Sequence, residues 1–467
     1  MNNYIYGVTA AAVLIPTLAT VAAPKGGKPN VIIIFTDDQG YQDLGCFNSP
    51  KIKTPNIDKL ASEGLRLTSF YVSASVSSAS RAGLMTGQLN TKNGVTGALF
   101  PGDKGLASSE VTLAEALKEV GYATGVFGKW HLGDTDGYLP KDQGFDTFFG
   151  LPYSNDMYIG STNKFADDAL FRDGYTLERA KADQKLTATK ALVKANRPAI
   201  ISKSPLFSGD KIVEYPCDQS TLTRRYIDRA MSFIKEHKDE PFFAYITPNM
   251  PHIPLFASEQ FIGKSEGGLY GDCVEEIDWN VGRLLKMLDD EGLRDSTIVI
   301  FATDNGPWIN LKNRSLAGYA DPLKGGKFSQ YEGGVRTPCI VRFPRVTKAG
   351  SVSDNIVASI DLFPTIMHYA GVDKIDHEID GVSVAKLFKS PKKVVRDEYL
   401  YVRGGKPYGV RKGDWIYLPE SGAYKPATKI GAELFNITND IGEDENLYSK
   451  YPEKVAELEA VLKKYSE

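Results

Sequence analysis

Three stretches of this chain are apolar at every position instead of every second one, and each stops at a polar turn. Val31-Ile32-Ile33-Ile34-Phe35 runs into Thr36-Asp37-Asp38-Gln39-Gly40. Phe242-Phe243-Ala244-Tyr245-Ile246 runs into Thr247-Pro248-Asn249, and Ile298-Val299-Ile300-Phe301-Ala302 into Thr303-Asp304-Asn305-Gly306. A strand with one wet face alternates apolar and polar residues, so an uninterrupted β-branched run predicts a strand covered on both faces, as in a parallel sheet. Helical periods separate these runs: Asn56 to Glu63, Thr112 to Val120 with Ala114 and Leu117 on one face, Ser220 to Lys238, and Val274 to Glu291. Strand and helix in alternation predict an α/β fold whose large, mostly parallel sheet is sandwiched by helices.

Beyond about Gly381 the pattern changes. A basic run, Lys389-Ser390-Pro391-Lys392-Lys393, precedes short aromatic segments at Tyr399 to Val402, Tyr408 to Val410 and Trp415 to Leu418, separated by Gly-Lys and Gly-Asp turns. An amphipathic helix is expected from about Glu453 to Tyr465. These features predict a smaller C-terminal subdomain, residues 386–467, built from an antiparallel sheet and a terminal helix beside a main domain of residues 24–385. From Met1 to Pro24 there is no charged side chain, and the Ala-rich apolar run Val8 to Ala22 ends in Val21-Ala22-Ala23. That pattern reads as a signal peptide over residues 1–23, and hence a periplasmic or secreted protein. The run is shorter than the roughly 20 residues a membrane span needs, so no span is expected. With 55 Lys and Arg against 58 Asp and Glu, the chain lacks the basic footprint of a general nucleic-acid binder.

In open α/β sheets ligands sit beyond the carboxyl ends of the strands. Two of the runs end there in Asp37-Asp38 and Asp304-Asn305, three carboxylates and a carboxamide. The chain has 5 His and 4 Cys, with no Cys-x-x-Cys and no His-x-x-x-His pair. Any metal here is therefore expected to be a hard cation with oxygen ligands, Ca²⁺ or Mg²⁺, and not zinc. Export would permit disulfides among Cys46, Cys217, Cys273 and Cys339, and free buried thiols are equally compatible with their spacing. A third feature is Ser77-Ser78-Ala79-Ser80-Arg81-Ala82-Gly83-Leu84-Met85-Thr86-Gly87, a Ser-rich turn entering a short helix with an Arg in its first turn. A helix N-terminus beside a guanidinium suits an anion.

Those eleven residues resemble the signature of the sulfatases of the alkaline-phosphatase superfamily, the arylsulfatase-like enzymes: Cys or Ser, any residue, Pro or Ala, Ser, Arg, then a small helix ending Thr-Gly. Gly128-Lys129-Trp130-His131-Leu132-Gly133 resembles the family's second signature. Pro55-Asn56-Ile57-Asp58, Gly144-Phe145-Asp146, Tyr331 to Arg336, Asp361 to Thr365 and Glu433-Leu434-Phe435-Asn436 resemble further family stretches. The likeness runs from about residue 29 to 448 and is weakest over residues 152 to 215. It implies that Ser77 is oxidised by a formylglycine-generating maturation enzyme, as in the bacterial serine-type variant. The hydrated aldehyde would be the nucleophile. It also implies that Asp37, Asp38, Asp304 and Asn305, with residue 77, hold Ca²⁺, and that Arg81 fixes the formylglycine diol. Lys129 and Lys327 would clamp the sulfate, with Lys324 a close competitor to Lys327. His252 would protonate the departing sugar oxygen, and His131 would assist release of the sulfate. His237, His368 and His377 are read as ordinary core or surface residues.

Between Arg172 and Lys203 the chain carries Arg172, Arg179, Lys181, Lys185, Lys190, Lys194, Arg197 and Lys203 against Asp173, Glu178 and Asp183. A basic insertion near a sulfatase pocket favours a polyanionic chain as substrate, a sulfated polysaccharide or oligosaccharide such as carrageenan or a glycosaminoglycan. Two other functions share much of this pattern. One is a phosphodiesterase or phosphonate hydrolase of the same superfamily, and the other a sulfated-glycan binder in which Ser77 stays unmodified.

Overall fold

The computed structural model describes residues 27–372, 374–425 and 430–466. The expected signal peptide therefore lies outside the described residues. Among these residues, twelve strands form the large sheet. They are β1 (Asn30–Thr36), β2 (Leu65–Tyr71), β3 (Ala123–Gly128), β4 (Thr147–Gly150), β5 (Lys164–Phe171), β6 (Leu206–Ser208), β7 (Lys211–Tyr215), β8 (Phe242–Thr247), β9 (Thr297–Thr303), β10 (Arg336–Arg342), β11 (Ser351–Ser353) and β12 (Val357–Ala358). Their order is β11-β2-β10-β9-β1-β8-β3-β4-β6-β7-β5, with β12 also on β2.

The three apolar runs are β1, β8 and β9, neighbours at the centre of the sheet and parallel to one another. Every residue of β1 is buried. Val31, Ile33 and Phe35 enter one apolar layer while Ile32 and Ile34 enter the other. Fully burying such a side chain is worth about 1.5–3 kcal/mol, so a strand apolar on both faces is fixed in the middle of the sandwich. Helices α1 (Pro55–Glu63), α2 (Ser77–Thr86), α3 (Leu113–Glu119), α4 (Leu177–Leu186), α5 (Lys190–Ile200), α6 (Leu222–Glu236) and α7 (Gly268–Asp290) follow in chain order. Ile57, Tyr226 and Val281, from α1, α6 and α7, pack in the layer of Ile32, whereas Leu84 of α2 and Leu117 of α3 pack in that of Val31.

Two features depart from the sequence expectation. Helix α7 begins at Gly268, before the expected Val274, because Asp272 accepts hydrogen bonds from the amides of Gly263, Lys264 and Ser265 and ties the preceding turn to the helix. The small sheet has four antiparallel strands, β13 (Glu398–Arg403), β14 (Lys406–Lys412), β15 (Trp415–Leu418) and β16 (Glu433–Asn436), where three were expected. The fourth is only four residues long and pairs with β15 across a long excursion. The terminal helix Pro452–Lys463 closes the chain against this sheet. All four cysteines are free thiols.

Candidate active site

The register of the central strands assembles the site. Thr36 of β1 pairs with Thr303 of β9, so Asp37-Asp38 and Asp304-Asn305 leave the sheet side by side. Gly128 of β3 pairs with Thr247 of β8, which delivers Lys129 and His131 to the same edge. Asp38 (φ 57°), His131 (φ 64°) and Phe328 (φ 71°) all hold left-handed backbone conformations. Non-glycine residues store strain there, and such residues cluster at functional sites.

Ser77 opens α2 and is 1% exposed. Its Oγ donates to Asp37 Oδ1 at 3.0 Å and lies 3.4 Å from Asn305 Oδ1. One helical turn on, Arg81 is fully buried, with Nε and Nη2 at 3.0 and 2.8 Å from Asp304 Oδ2. Lys129 Nζ donates to Asp37 Oδ2 at 2.6 Å, and Lys327 Nζ to Asp38 Oδ2 at 2.8 Å. The acids also bond to one another's loops, through Asp38 N–H to Asp304 Oδ1 at 3.2 Å and Asn305 Nδ2 to Asp38 Oδ1 at 2.7 Å. Three buried carboxylates are thus matched by three buried cations. A buried charge without such a partner would cost several kcal/mol. Burial pushes Asp37 up, but Lys129, with help from His252, outweighs it and holds the carboxyl below its usual range. Lys327 is pulled down by burial, and Asp38 and Asp37 more than reverse this.

The histidines stand on either side. His252 Nδ1 lies 2.5 Å from the Ile253 carbonyl, which fixes the proton there and leaves Nε2 facing the acids, 3.6 Å from Asp38 Oδ2. His131 Nε2 lies 3.1 Å from the Leu99 carbonyl and donates to it, so Nδ1 carries the lone pair; that atom is buried with no partner among the described residues. Burial and then the charge of Lys129 hold His131 well below the ordinary histidine range, in its neutral form. Asp37, Asp38 and His252 each offer a ligand atom within 4.8 Å of one another. His252, assigned from sequence to proton transfer alone, therefore also sits at ligand distance from the two acids.

All the site residues expected from the sequence meet at this edge. Lys324 does not: its Nζ donates to the Glu443 carbonyl at 2.6 Å and lies over the Tyr331 ring. His237 binds Glu240 at the surface. Three participants went unread in the sequence. Ser154 Oγ bridges Lys129 Nζ (3.3 Å) and His252 Nδ1 (3.4 Å). Trp308 lies under Lys327 Nζ, 4.6 Å from the ring centroid, and beside His252. Asp43 accepts from the amide of Tyr319 and the Tyr270 hydroxyl, which also reaches the Asp38 carbonyl at 3.2 Å, and so braces the 37–43 turn. Each is a single residue in a loop; Trp308, three residues past Asn305, and Asp43, five past Asp38, follow strand ends that the sequence marked, and Ser154 does not.

Residues 29–372 match the family described as Sulfatase. The chain belongs to the sulfatase family. As a sulfatase it is a sulfuric ester hydrolase. Residues 326–466 match the family described as N-sulphoglucosamine sulphohydrolase, C-terminal. Arylsulfatase A of Homo sapiens is 34% identical over 447 residues, covering 90% of this sulfatase and 83% of the relative. The N-acetylgalactosamine-6-O-sulfatase of Bacteroides thetaiotaomicron is 31% identical over 487 residues, covering 93% and 92%. Among solved structures, Ps i-CgsB in complex with k-i-k-neocarrahexaose superposes with a TM-score of 0.76 at 30% identity, covering 94% of this sulfatase and 93% of that chain.

Proposed function

We propose that this sulfatase hydrolyses sulfate esters on a sulfated polysaccharide or its oligosaccharides, using formylglycine formed from Ser77 and Ca²⁺ held by Asp37, Asp38, Asp304 and Asn305. The observation that carries the chemistry is the convergence of Ser77 Oγ, a carboxamide and three carboxylates in one buried cluster. These four side chains offer oxygen donors, which suits a hard cation, with His252 at ligand distance beside Asp37 and Asp38. The buried Lys129, Lys327 and Arg81 already balance the acids, so a dication would leave the pocket net positive toward a sulfate ester. The support for a glycan comes from the relatives, one named for N-acetylgalactosamine-6-O-sulfate and one bound to a neocarrahexaose. The apolar N-terminal segment supports export to the periplasm or medium.

Bound Ca²⁺ supplies Lewis-acid polarisation of the sulfate oxygens. Formylglycine supplies a hydrated aldehyde, one hydroxyl for attack on sulfur and a second for release of sulfate. The chain's own groups do the rest. Arg81 anchors Asp304 and spans the turn to Thr36, which keeps residue 77 against Asp37. Lys129 and Lys327 present ammonium groups where charge develops on the transferring sulfate. Once Nε2 also carries a proton, His252 is placed to give it to the departing sugar oxygen, and His131 Nδ1, neutral and without a partner among the described residues, to receive one from the residue-77 side. Every residue from Ser77 to Thr86 is buried in α2, so a maturation enzyme that grips this segment as an extended peptide would meet it before the helix packs.

The test is sulfate release by the matured protein from carrageenan, chondroitin sulfate and heparin oligosaccharides, beside 4-nitrophenyl sulfate and bis-4-nitrophenyl phosphate. Release from at least one saccharide is expected. Hydrolysis of the aryl sulfate alone refutes the glycan substrate, and faster turnover of the phosphodiester refutes the sulfatase preference. In the same sample the tryptic peptide Leu67 to Arg81 should be two hydrogens lighter than encoded. An unmodified peptide with no turnover would leave a glycan binder.

A further inference from the structure

We propose that the cavity between the Phe100–Asp103 turn and α5 is a second subsite of this sulfatase, holding an anionic sugar unit further along the same saccharide chain. The proposal rests on the glycan reading above and adds the place where the chain is gripped. The cavity has a volume of about 490 Å³ and takes in the 100–103 turn, Thr135, Tyr158, Ser161 and one face of α5. It adjoins the catalytic centre through Leu99. The Leu99 amide donates to Ser78 Oγ at 3.0 Å, next to the nucleophile, and its carbonyl takes the hydrogen bond from His131. The next residue, Phe100, is already in the cavity wall. The His131 ring meets Tyr153 edge-on at 5.6 Å, and Tyr153 and Tyr158 share an apolar cluster that Val193 of α5 joins.

The charge on this wall is specific. Lys190, Lys194 and Arg197 recur at helical spacing, so all the cations of α5 face the cavity. Lys190 is engaged with Asp103 at 2.8 Å. Lys194 and Arg197 make no side-chain hydrogen bond or ion pair among the described residues. Elsewhere in the insertion, Arg172 is held by Glu214 at 2.6 Å, Arg179 lies over the Tyr175 ring at 4.1 Å, and Lys203 faces Asp183 at 3.8 Å, while Lys181 and Lys185 of α4, also without a partner among the described residues, do not line the cavity. The two cations left without a partner above the cavity thus stand over apolar surface from Phe100, 40% exposed, and half-buried Val193, with the hydroxyl of Thr162 nearby. Uncommitted cations over an apolar wall with a hydroxyl match a sugar ring that bears an anion, which offers a CH-rich face and a charged edge. A bare inorganic anion would leave the apolar wall unused, and a neutral sugar would leave the cations unused. The anion is a sulfate or a uronate carboxylate, since the two present the same charge to Lys194 and Arg197.

Titration calorimetry of the full chain carrying Ser77→Ala, which prevents turnover, tests this with four hexasaccharides: κ-carrageenan (sulfate), hyaluronan (carboxylate), chondroitin sulfate (both) and agarohexaose (neutral). Lys194→Ala with Arg197→Ala is expected to weaken at least one charged hexasaccharide about ten-fold. Agarohexaose should bind weakly and unchanged. Which charged probes respond identifies the anion. In the matured enzyme the same pair should raise KM for the responding saccharide and leave 4-nitrophenyl sulfate kinetics within about two-fold. The control pair Lys392→Ala with Lys393→Ala, exposed on the C-terminal subdomain, should change nothing. Equal affinity in parent and cavity variant, an equal loss in the control pair, agarohexaose bound as tightly as the charged probes, or no probe bound by the parent would each overturn the subsite. Binding is read without turnover, so a saccharide panel that releases no sulfate would refute the substrate while leaving a Lys194- and Arg197-dependent binding result standing.

Discussion

Two lysines three residues apart, Lys324 and Lys327, show how far a single side chain's neighbours decide its role. Lys327 sits in a 4%-exposed site with its ammonium on Asp38 and over Trp308. Lys324 reaches the opposite way, to the Glu443 carbonyl and the Tyr331 ring. Lys327→Ala removes a positive group from the transition state and strands the Asp38 carboxylate, so kcat/KM for 4-nitrophenyl sulfate should fall about 10²–10³-fold. Lys324→Ala should keep kcat within about five-fold and lower stability by about 1–2 kcal/mol, the scale of one hydrogen bond and a cation–π contact. Steady-state kinetics and thermal unfolding of the two variants check this, and the reverse ranking would remove Lys327 from the site. At this scale the sequence was informative where residues come in strings. Ser77 to Gly87 and Gly128 to Gly133 can be read as units, and they placed Ser77, Arg81, Lys129 and His131. Ser154 and Asp43 were illegible because nothing local distinguishes a lone Ser or Asp that bonds across 98 or 227 positions.

Helix α1 illustrates what elements take from one another. Its N-cap residue, Thr54, gives no side-chain cap, and the amides of Asn56 and Ile57 donate instead to Asp278 of α7 at 3.0 and 2.8 Å. Burial pushes the Asp278 carboxyl up to about 6, against hydrogen bonds from Ile57 and Asn56 that lower it. Its ordinary value is 3.8, so between the two the folded chain binds the proton and the unfolded chain does not. The stability tied to this group is therefore greatest below the lower value and is lost as pH rises through the higher one. Asp278→Asn keeps one acceptor oxygen for the two amides and does not titrate. Its deficit against the parent should be largest near about pH 4 and shrink by about 1–3 kcal/mol by about pH 7, as urea midpoints at the two pH values will show. The strands divide by the same logic of local and remote partners. β1, β8 and β9 were legible because burial on both faces writes an unbroken apolar run. β10 was not, since Arg336-Thr337-Pro338-Cys339 looks like a turn. It is a buried strand nonetheless, because Arg336 finds Glu332, Arg342 finds Glu63, and the register shifts between Thr337 and Cys339, around the proline. β5, half exposed at the sheet edge, carries too little apolar pattern to stand out.

At the scale of the whole molecule, the question is what joins the large sheet to the small one, and a buried carboxylate answers it. Glu332 accepts the hydroxyls of Tyr71 in β2 at 2.6 Å and of Tyr401 in β13 at 2.7 Å, and it pairs with Arg336 at 3.1 Å. It thereby ties a strand of each sheet to one acceptor. Glu443, also fully buried, takes the Glu332 amide at 2.9 Å. Burial, and then the nearby charge of Glu332, raise Glu443 well above its ordinary 4.5, so it is held protonated. Two neighbouring acids thus have opposite requirements. Glu332→Gln puts an amide among three donors and should cost about 2–4 kcal/mol. Glu443→Gln replaces a protonated acid by a neutral isostere that still accepts the amide. Because the folded pKa is the raised one, the parent loses stability as pH rises above the unfolded value, and the glutamine variant does not. At about pH 8 Glu443→Gln should therefore equal or exceed the parent in thermal midpoint, with the advantage growing as pH rises. If both substitutions destabilise alike, Glu443 is ionised in the fold, and two charged acids stand side by side where the sheets join.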